Sequence, residues 1–468
     1  MNDIIILNGI YGPETRVTAS VAARQVNRTI RGMGPYILKS WAKQFSYKIK
    51  VIDFCNILSE SEIFELLVRF ISKDTVAIGI STTFMIKTVP AHIRQVLEQV
   101  RKQYPGLELI AGGAESSIAE GVVDRVFYGD SEDALVAYLD QKKKKGSRTL
   151  FNKKFNIVEQ SHRFDSDDAI LDDEVLPIEL GRGCVFKCKF CGYDKIGKAK
   201  HTYQRRFSHI LDEIEYNKKQ FNVSRYSFID STVNEDYDKV KNLSSIPAVT
   251  GIDIEWTGFL RADLIWSNPD SAEWLQKSGL KSTLFGIESF NKKAADTIGK
   301  GWSPRHGKEF LPKLANELWQ GQISIQCAMI VGLPGETADS VIESAHWLDE
   351  NNFGLATFQA LHMKYGKSES EFITHPERYG YTIHDKHGNW SNEHFTYASA
   401  QELATHINED ILKNNKPATW TLFATANLFP EQSITELAKM SLRESLNLRN
   451  SRLAQFKQRY ISKLLETQ

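Results

Sequence analysis

Short apolar runs without alternation punctuate the first third of the chain. Ile4–Leu7 ends at Asn8-Gly9, and Ile49–Ile52 ends at Asp53. Thr75–Ser81 reads Thr-Val-Ala-Ile-Gly-Ile-Ser, and Leu107–Ala111 runs into Gly112-Gly113. Continuous apolar runs of this length are what a strand buried on both faces requires. Between the last two, Val89–Tyr104 places Val96, Leu97 and Val100 at helical spacing. Val126–Tyr128 predicts a fifth strand, followed by Gly129-Asp130 and a helix from Ser131. Strands alternating with helices predict a doubly wound α/β parallel sheet over residues 1–141.

The pattern then lapses. Lys142–Lys145 is a run of four lysines followed by Gly-Ser, and the stretch to Glu174 mixes charges with little periodicity. It reads as a solvated linker over 142–174. A second alternation begins at Leu176, with expected strands Leu176–Leu180, Arg225–Ile229, Ile252–Thr257, Ser282–Phe285, Ile323–Ile330 and Ala356–His362. Helical stretches such as Phe207–Gln220 and Ala338–Glu350 lie between them. Six such units predict a partial parallel (β/α)6 barrel over 175–365, with functional groups at the carboxyl ends of its strands. After about Gly366 the strand signal fades. Gln401–Lys413 and Glu431–Leu465 read as charged helices, so 366–468 is expected to be mainly helical.

Charge narrows the function little but excludes one class. Lys+Arg and Asp+Glu are both 58, so a chain-wide electrostatic grip on nucleic acid is not expected, and no nucleic-acid module is recognisable. The start, Met-Asn-Asp-Ile-Ile-Ile-Leu, lacks a basic region and a cleavage site, and no apolar run is long enough to span a bilayer. A cytoplasmic protein without membrane contact is the expectation.

The five cysteines are Cys55, Cys184, Cys188, Cys191 and Cys327, and three of them fall within eight residues, which fits a metal site better than a disulfide framework. The segment reads Gly181-Arg-Gly-Cys184-Val-Phe-Lys-Cys188-Lys-Phe-Cys191-Gly192. Thiolates are soft ligands that suit iron–sulfur or zinc. Zinc sites more often fill four positions with paired Cys-x-x-Cys. A cluster held by three cysteines leaves one iron open to a small molecule. Two other readings stay open at this point: a zinc knuckle completed by His201, and a helix burying cysteines at i, i+4 and i+7. Gly181, Gly183 and Gly192 oppose the helix.

The C-x-x-x-C-x-x-C spacing after a predicted first barrel strand, with Phe190 before the third cysteine, resembles the radical S-adenosylmethionine (SAM) enzymes. That resemblance implies a [4Fe-4S] cluster on Cys184, Cys188 and Cys191. It implies SAM chelated through its amino and carboxylate groups, and one-electron cleavage to methionine and a 5′-deoxyadenosyl radical. Further stretches sit where the family binds SAM. Phe228-Ile-Asp230-Ser231 ends the second barrel strand, and Phe259-Leu-Arg261-Ala-Asp263 follows the third. Gly286-Ile-Glu288-Ser289 ends the fourth, and Gly332-Leu-Pro334-Gly335-Glu336-Thr337 ends the fifth. By the resemblance, Phe190, Asp230, Ser231, Arg261, Glu288, Ser289, Gly332, Pro334 and Gly335 are SAM-binding candidates. Taken singly, Asp230 could cap a helix, Arg261 could pair on the surface and Gly335 could turn the chain.

The first domain is similar to the Rossmann-like cobalamin-binding domain that precedes the barrel in one subgroup. The matching stretches are Ile78-Gly-Ile-Ser81-Thr82, Ala111-Gly112-Gly113-Ala114 and Tyr128-Gly129-Asp130-Ser131-Glu132. Ser81, Thr82, Gly112 and Gly113 are the cobalamin-side candidates. The Asp-x-His-x-x-Gly motif of histidine-ligated cobalamin is absent, and His92 is the only histidine of this domain. The alternative is a domain that kept its fold without the cofactor. Trp390-Ser-Asn-Glu-His394-Phe-Thr396 resembles a post-barrel motif of some subgroup members. Cys55 and Cys327 have no cysteine neighbours, so one cluster is expected; Cys327 is a hydrogen-atom donor candidate only if it faces the barrel interior.

The resemblance implies cobalamin-dependent methylation of an unactivated carbon on a small-molecule or peptide substrate, with a flavodoxin- or ferredoxin-type electron donor. Two alternatives remain: radical oxidation, cyclisation or rearrangement without methyl transfer, and a non-enzymatic iron–sulfur or zinc protein.

Overall fold

A computed structural model describes the chain except residues 12–28, 86–87, 145–153, 173, 194–195, 200–201, 354–355, 364–368, 386–387, 413–425, 441 and 468. His201, Lys145 and Gly366, used in the sequence reading, lie outside the described residues.

Five strands form the first sheet: β1 (Ile4–Leu7), β2 (Ile49–Ile52), β3 (Ala77–Ser81), β4 (Glu108–Gly112) and β5 (Arg125–Phe127). They run parallel in the order β2-β1-β3-β4-β5. Every residue of β1, β2 and β3 is buried, as their unbroken apolar runs require. Helices cover both faces, among them Gly34–Lys43, Glu60–Phe70 and Ala91–Gln103. Ser59 and Glu62 close a capping box at the start of the second of these. Because β1 lies between β2 and β3, the chain reverses its winding there. That leaves a crevice beyond the carboxyl ends of β1 and β3, the position where open α/β sheets bind ligands.

The second sheet has six parallel strands in sequence order: β6 (Val175–Ile178), β7 (Arg225–Phe228), β8 (Glu255–Leu260), β9 (Leu280–Glu288), β10 (Ser324–Val331) and β11 (Ala356–Ala360). Register separates its two faces. Leu260, Phe285, Cys327 and Ala356 form one row, all buried in the core shared with the helices. Phe259, Leu284 and Gln326 form a row on the other face, where Phe259 is 42% exposed. Cys327 therefore packs against helices and does not face the barrel interior, and burial pushes its thiol up to about 12.

Three expectations differ from the fold. The third barrel strand was expected at Ile252–Thr257 and is found at Glu255–Leu260. Ile252–Ile254 instead leads in from the turn at Gly251, with Ile254 buried. A short apolar run reads the same in a strand and in a buried approach to one. The described part of 142–174 is not a free tether. Phe164, Ala169, Ile170 and Leu171 are buried, and Lys39 ion-pairs with Asp167 at 2.6 Å and Asp168 at 2.5 Å. The C-terminal region is helical at Tyr397–His406, Ile434–Lys439 and Leu442–Glu466, but it also holds an antiparallel pair, Thr382–Ile383 with Trp390–Ser391.

The seam between the parts centres on Arg31, whose side chain is fully buried. Its guanidinium pairs with Asp53 at 2.9 Å and with Glu174 at 2.6 Å. It also donates to the Tyr36 hydroxyl and to the carbonyls of Asp168 and Ala169. Phe54 and Tyr460 present ring faces to it at 4.9 and 5.6 Å. Tyr460 lies on the C-terminal helix, and its hydroxyl accepts from the Asp53 backbone N–H at 2.6 Å. One cation thus joins β2, the entry to the barrel and the end of the chain. Burial raises the Asp53 carboxyl to about 6, with Arg31 acting in the opposite direction. Replacing Arg31 by Met strands two buried carboxylates. We expect a loss of about 3–5 kcal/mol in urea unfolding, and a far smaller change for the exposed ion-pair variant Arg305→Met.

Candidate functional site

The chain leaves β6 through Gly181-Arg182-Gly183 and enters an irregular loop. Cys184 is buried, and Cys188 and Cys191 are half-buried. Backbone bonds fold the loop on itself: Lys198 N–H to Cys184 O at 3.0 Å, Gly197 N–H to Phe186 O at 3.1 Å and Cys191 N–H to Cys188 O at 3.0 Å. No helix spans the cysteines, so the buried-helix reading is excluded. Burial, followed by the neighbouring Cys188 and Cys184, raises the Cys191 thiol.

The donor set of this loop is three free thiols. Among the described residues, the set of three candidate ligands within 4.8 Å of one another is Asp165, Asp167 and Asp168, not the three cysteines. Lys39, Lys43 and Lys50 already pair with that aspartate group. Three soft thiol donors brought together on one irregular loop suit an iron–sulfur unit.

Arg261, the residue after β8, reaches this loop. Its Nη1 lies 3.7 Å from Cys188 Sγ, and its guanidinium stacks over Phe186 at 3.9 Å. Asp263 accepts from Nη2 at 2.6 Å, and so does the Lys300 carbonyl at 2.7 Å. A cation beside a thiolate offsets the charge that desolvation penalises. Thr232 Oγ1 lies 3.8 Å from Cys184 Sγ. Phe190 is half-buried against the core.

The remaining strand ends are tied to one another. Asp230, after β7, accepts from Leu180 N–H at 2.7 Å and from Lys239 Nζ at 2.8 Å. Its carboxylate therefore pins the end of β6, and burial raises it to about 6. Ser231 beside it is exposed. Glu288, at the end of β9, has φ of 69°, a conformation that side chains adopt at a cost of about 1–3 kcal/mol. Its Oε1 accepts from Lys300 Nζ at 2.6 Å.

Ser289 donates to Glu336 at 2.5 Å. Glu336 Oε2 accepts from the N–H groups of Gly332 at 3.0 Å and Leu333 at 2.9 Å, and burial raises Glu336 to about 7. One carboxylate thus locks the end of β9 to the turn after β10, where Pro334 is buried. Asn291 Nδ2 donates to the Gly335 carbonyl at 3.1 Å.

The C-terminal strand pair closes this turn from outside. Tyr381 donates its hydroxyl to Gly332 O at 2.7 Å, and Asn392 Nδ2 does so at 3.0 Å. The Trp390 ring fills the place of a Gly332 side chain, and its Nε1 donates to Leu361 O at 2.8 Å.

In the first domain, Ser81, Thr82, Gly112 and Gly113 come together at the ends of β3 and β4. Thr82 donates to the Gly112 carbonyl from its N–H at 2.9 Å and its hydroxyl at 3.1 Å. A Cβ on Gly113 would lie 2.9 Å from Thr82 Oγ1, so glycine keeps this floor low. Beside it, Asn8 Oδ1 at the end of β1 is buried without a hydrogen-bond partner among the described residues. A floor kept low by glycine and an unmet acceptor at the switch point fit a bound cofactor.

Arg182 joins the two halves. It grips Glu179 through two bonds of 2.9 and 3.1 Å, and reaches Glu132 at 2.6 Å and Asp130 at 3.1 Å in the first domain. Sequence reasoning passed over Arg182, Thr232, Glu336 and Lys300 as site residues. The first three lay within or beside the stretches it used. Lys300, twelve residues beyond Glu288, carried no local signal.

Residues 178–348 match the family described as the Radical SAM superfamily. An uncharacterized methyltransferase of Pyrococcus horikoshii is 24% identical over 184 residues, 39% of this chain and 38% of that protein. The bacteriochlorophyllide d C-8(2)-methyltransferase of Chlorobaculum tepidum is 22% identical over 190 residues, 40% of this chain and 42% of that protein. The match thus spans about two fifths of the length of these curated relatives.

Among solved structures, the radical SAM methyltransferase TsrM of Kitasatospora setae, with cobalamin and a [4Fe-4S] cluster bound, superposes with a TM-score of 0.67. The identity is 12%, covering 96% of this chain and 100% of that one. The cobalamin-dependent enzyme OxsB, with aqua-cobalamin bound, gives 0.60 at 13% identity, covering 99% and 80%. At these identities the likeness establishes the fold, a Rossmann-like sheet followed by a radical SAM barrel. Among the described residues no helix is long and apolar enough to cross a membrane.

The turn after β10 gives a direct test of the packing. Gly332 has φ of 97°, and a Cβ there would lie 2.3 Å from Trp390 Cη2. Gly332→Ala is expected to cost about 2–4 kcal/mol in urea unfolding, since a strained backbone and an overpacked ring add. In a Trp390→Leu background the same change is expected to cost less, because the clash is gone.

Proposed function

From the premise that residues 178–348 form a radical SAM domain, we propose that the chain is a radical SAM enzyme that methylates an unactivated carbon with the help of cobalamin. The observation that carries this reading is the convergence of the three-cysteine loop, Arg261 and the Glu288–Lys300 pair at the carboxyl ends of one barrel, tied through Arg182 to Asp130 and Glu132 of the first domain. TsrM and OxsB, whose structures hold cobalamin, support the second half of the reading.

When bound, the cluster and SAM supply a 5′-deoxyadenosyl radical, and cobalamin supplies the methyl group. The chain's own residues hold and orient these groups. Cys184, Cys188 and Cys191 are the cluster ligands. Arg261, held by Asp263 and the Lys300 carbonyl, balances thiolate charge at Cys188. Glu288 keeps Oε2 for a ligand hydroxyl, since Lys300 takes Oε1 and among the described residues no side chain bonds the other oxygen. Glu336 holds the Gly332–Gly335 turn in place, with the Trp390 ring packed on Gly332. Ser81, Thr82, Gly112 and Gly113 line the floor for cobalamin. Arg182 fixes the cluster loop against the first domain, and orientation errors of about 1 Å between reacting groups are costly.

The substrate is a small molecule or peptide, and a flavodoxin- or ferredoxin-type protein supplies the electron. The second reading drops methyl transfer. It is favoured by the one histidine of the first domain, His92, which bonds the Cys55 carbonyl at 3.2 Å rather than standing free as a ligand.

With dithionite under anaerobic conditions, the reconstituted protein is expected to convert SAM to 5′-deoxyadenosine. Cys184→Ala is expected to abolish that product while the fold, read by circular dichroism, persists. No 5′-deoxyadenosine from cluster-loaded protein would overturn the reading. A substrate product without an added methyl group would leave only its second form.

A further inference from the structure

Lys300 lies outside the short strand-end stretches that the sequence analysis singled out, yet it holds two site groups at once. Its ammonium lies 2.6 Å from Glu288 Oε1 and also donates to the Gly286 carbonyl. Its backbone carbonyl accepts from Arg261 Nη2 at 2.7 Å. It is 8% exposed, on the segment that follows helix Lys292–Ile298. The same turn meets the cysteine loop, where Lys189 N–H donates to Ile298 O. One residue therefore fixes the end of β9 through its side chain and the arginine after β8 through its backbone.

The chemistry of the pair is specific. A buried carboxylate without a cation would be expensive. Paired to Lys300 through one oxygen, Glu288 is neutralised, keeps its left-handed backbone and still offers Oε2. A neutralised carboxylate with one open oxygen suits a hydroxyl donor better than a second cation. Resting on the SAM reading above, we propose that Lys300 is a positioning residue of the SAM site. It acts through Glu288, holding Oε2 toward the hydroxyl groups of the bound nucleoside.

The test is equilibrium binding of radiolabelled SAM to anaerobic protein with its cluster oxidised, so that no turnover is needed. Lys300→Met is expected to weaken SAM binding at least about tenfold, with iron content unchanged; a tenfold loss corresponds to about 1.4 kcal/mol. Lys300→Arg is expected to recover most of it. Glu288→Gln separates positioning from mere packing. In that background Lys300→Met should change the affinity less than about twofold, since residues acting through one another are not additive.

If Lys300→Met does not fold, the double variant, with a neutral pair in place of a stranded charge, carries the comparison against Glu288→Gln alone. Additive losses, or SAM affinity within twofold of wild type in Lys300→Met, would overturn the proposal. Wild-type protein that carries the cluster and binds no SAM would overturn the SAM reading instead.

Discussion

Everything in this molecule hangs from a guanidinium that water does not reach. Arg31 sits between β2, the entry strand of the barrel and the last helix, and satisfies a group from each. A buried ion network of this kind contributes little net stability compared with apolar packing, but it is intolerant of any missing partner. Its consequence here is geometric. The two sheets cannot swing apart without stranding Asp53 or Glu174. Arg182 repeats the arrangement nearer the chemistry, with Glu179 on the barrel side and Glu132 on the other. The crevice of the first sheet and the mouth of the barrel are thus held by two separate cations.

Within the barrel, the same economy governs the site. Each carboxylate at a strand end serves the next strand. Asp230 holds β6, and Glu336 joins β9 to the turn after β10. The acids that sequence resemblance assigned to SAM are therefore not equivalent. Asp230 has both oxygens engaged, while Glu288 keeps one open. A strand-end carboxylate can be conformational reinforcement or a ligand contact, and the count of its free oxygens separates the two.

Much of the fold was legible because buried parallel strands write themselves as unbroken apolar runs. Ile4–Leu7 and Ile49–Ile52 are found with the bounds the runs predict. The method fails where an apolar run is buried without pairing, as at Ile252–Ile254. It fails again where polar residues are buried by pairing, as at Asp168 and Glu174, which looked like part of a solvated tether. The cysteine loop was legible from spacing. Lys300 was not, because its partners are made adjacent by a helix and a turn and by no local pattern. Nor was the packing of Trp390 on Gly332, a contact 58 residues apart along the chain.

Metal content, coupled to an electron paramagnetic resonance spectrum of the reduced protein with and without SAM, bears most directly on the whole account. Protein prepared anaerobically with cobalamin supplied should hold about four irons per chain and bind cobalt, with a cluster signal that changes when SAM is added. Zinc in place of iron, or a cluster signal indifferent to SAM, would contradict it.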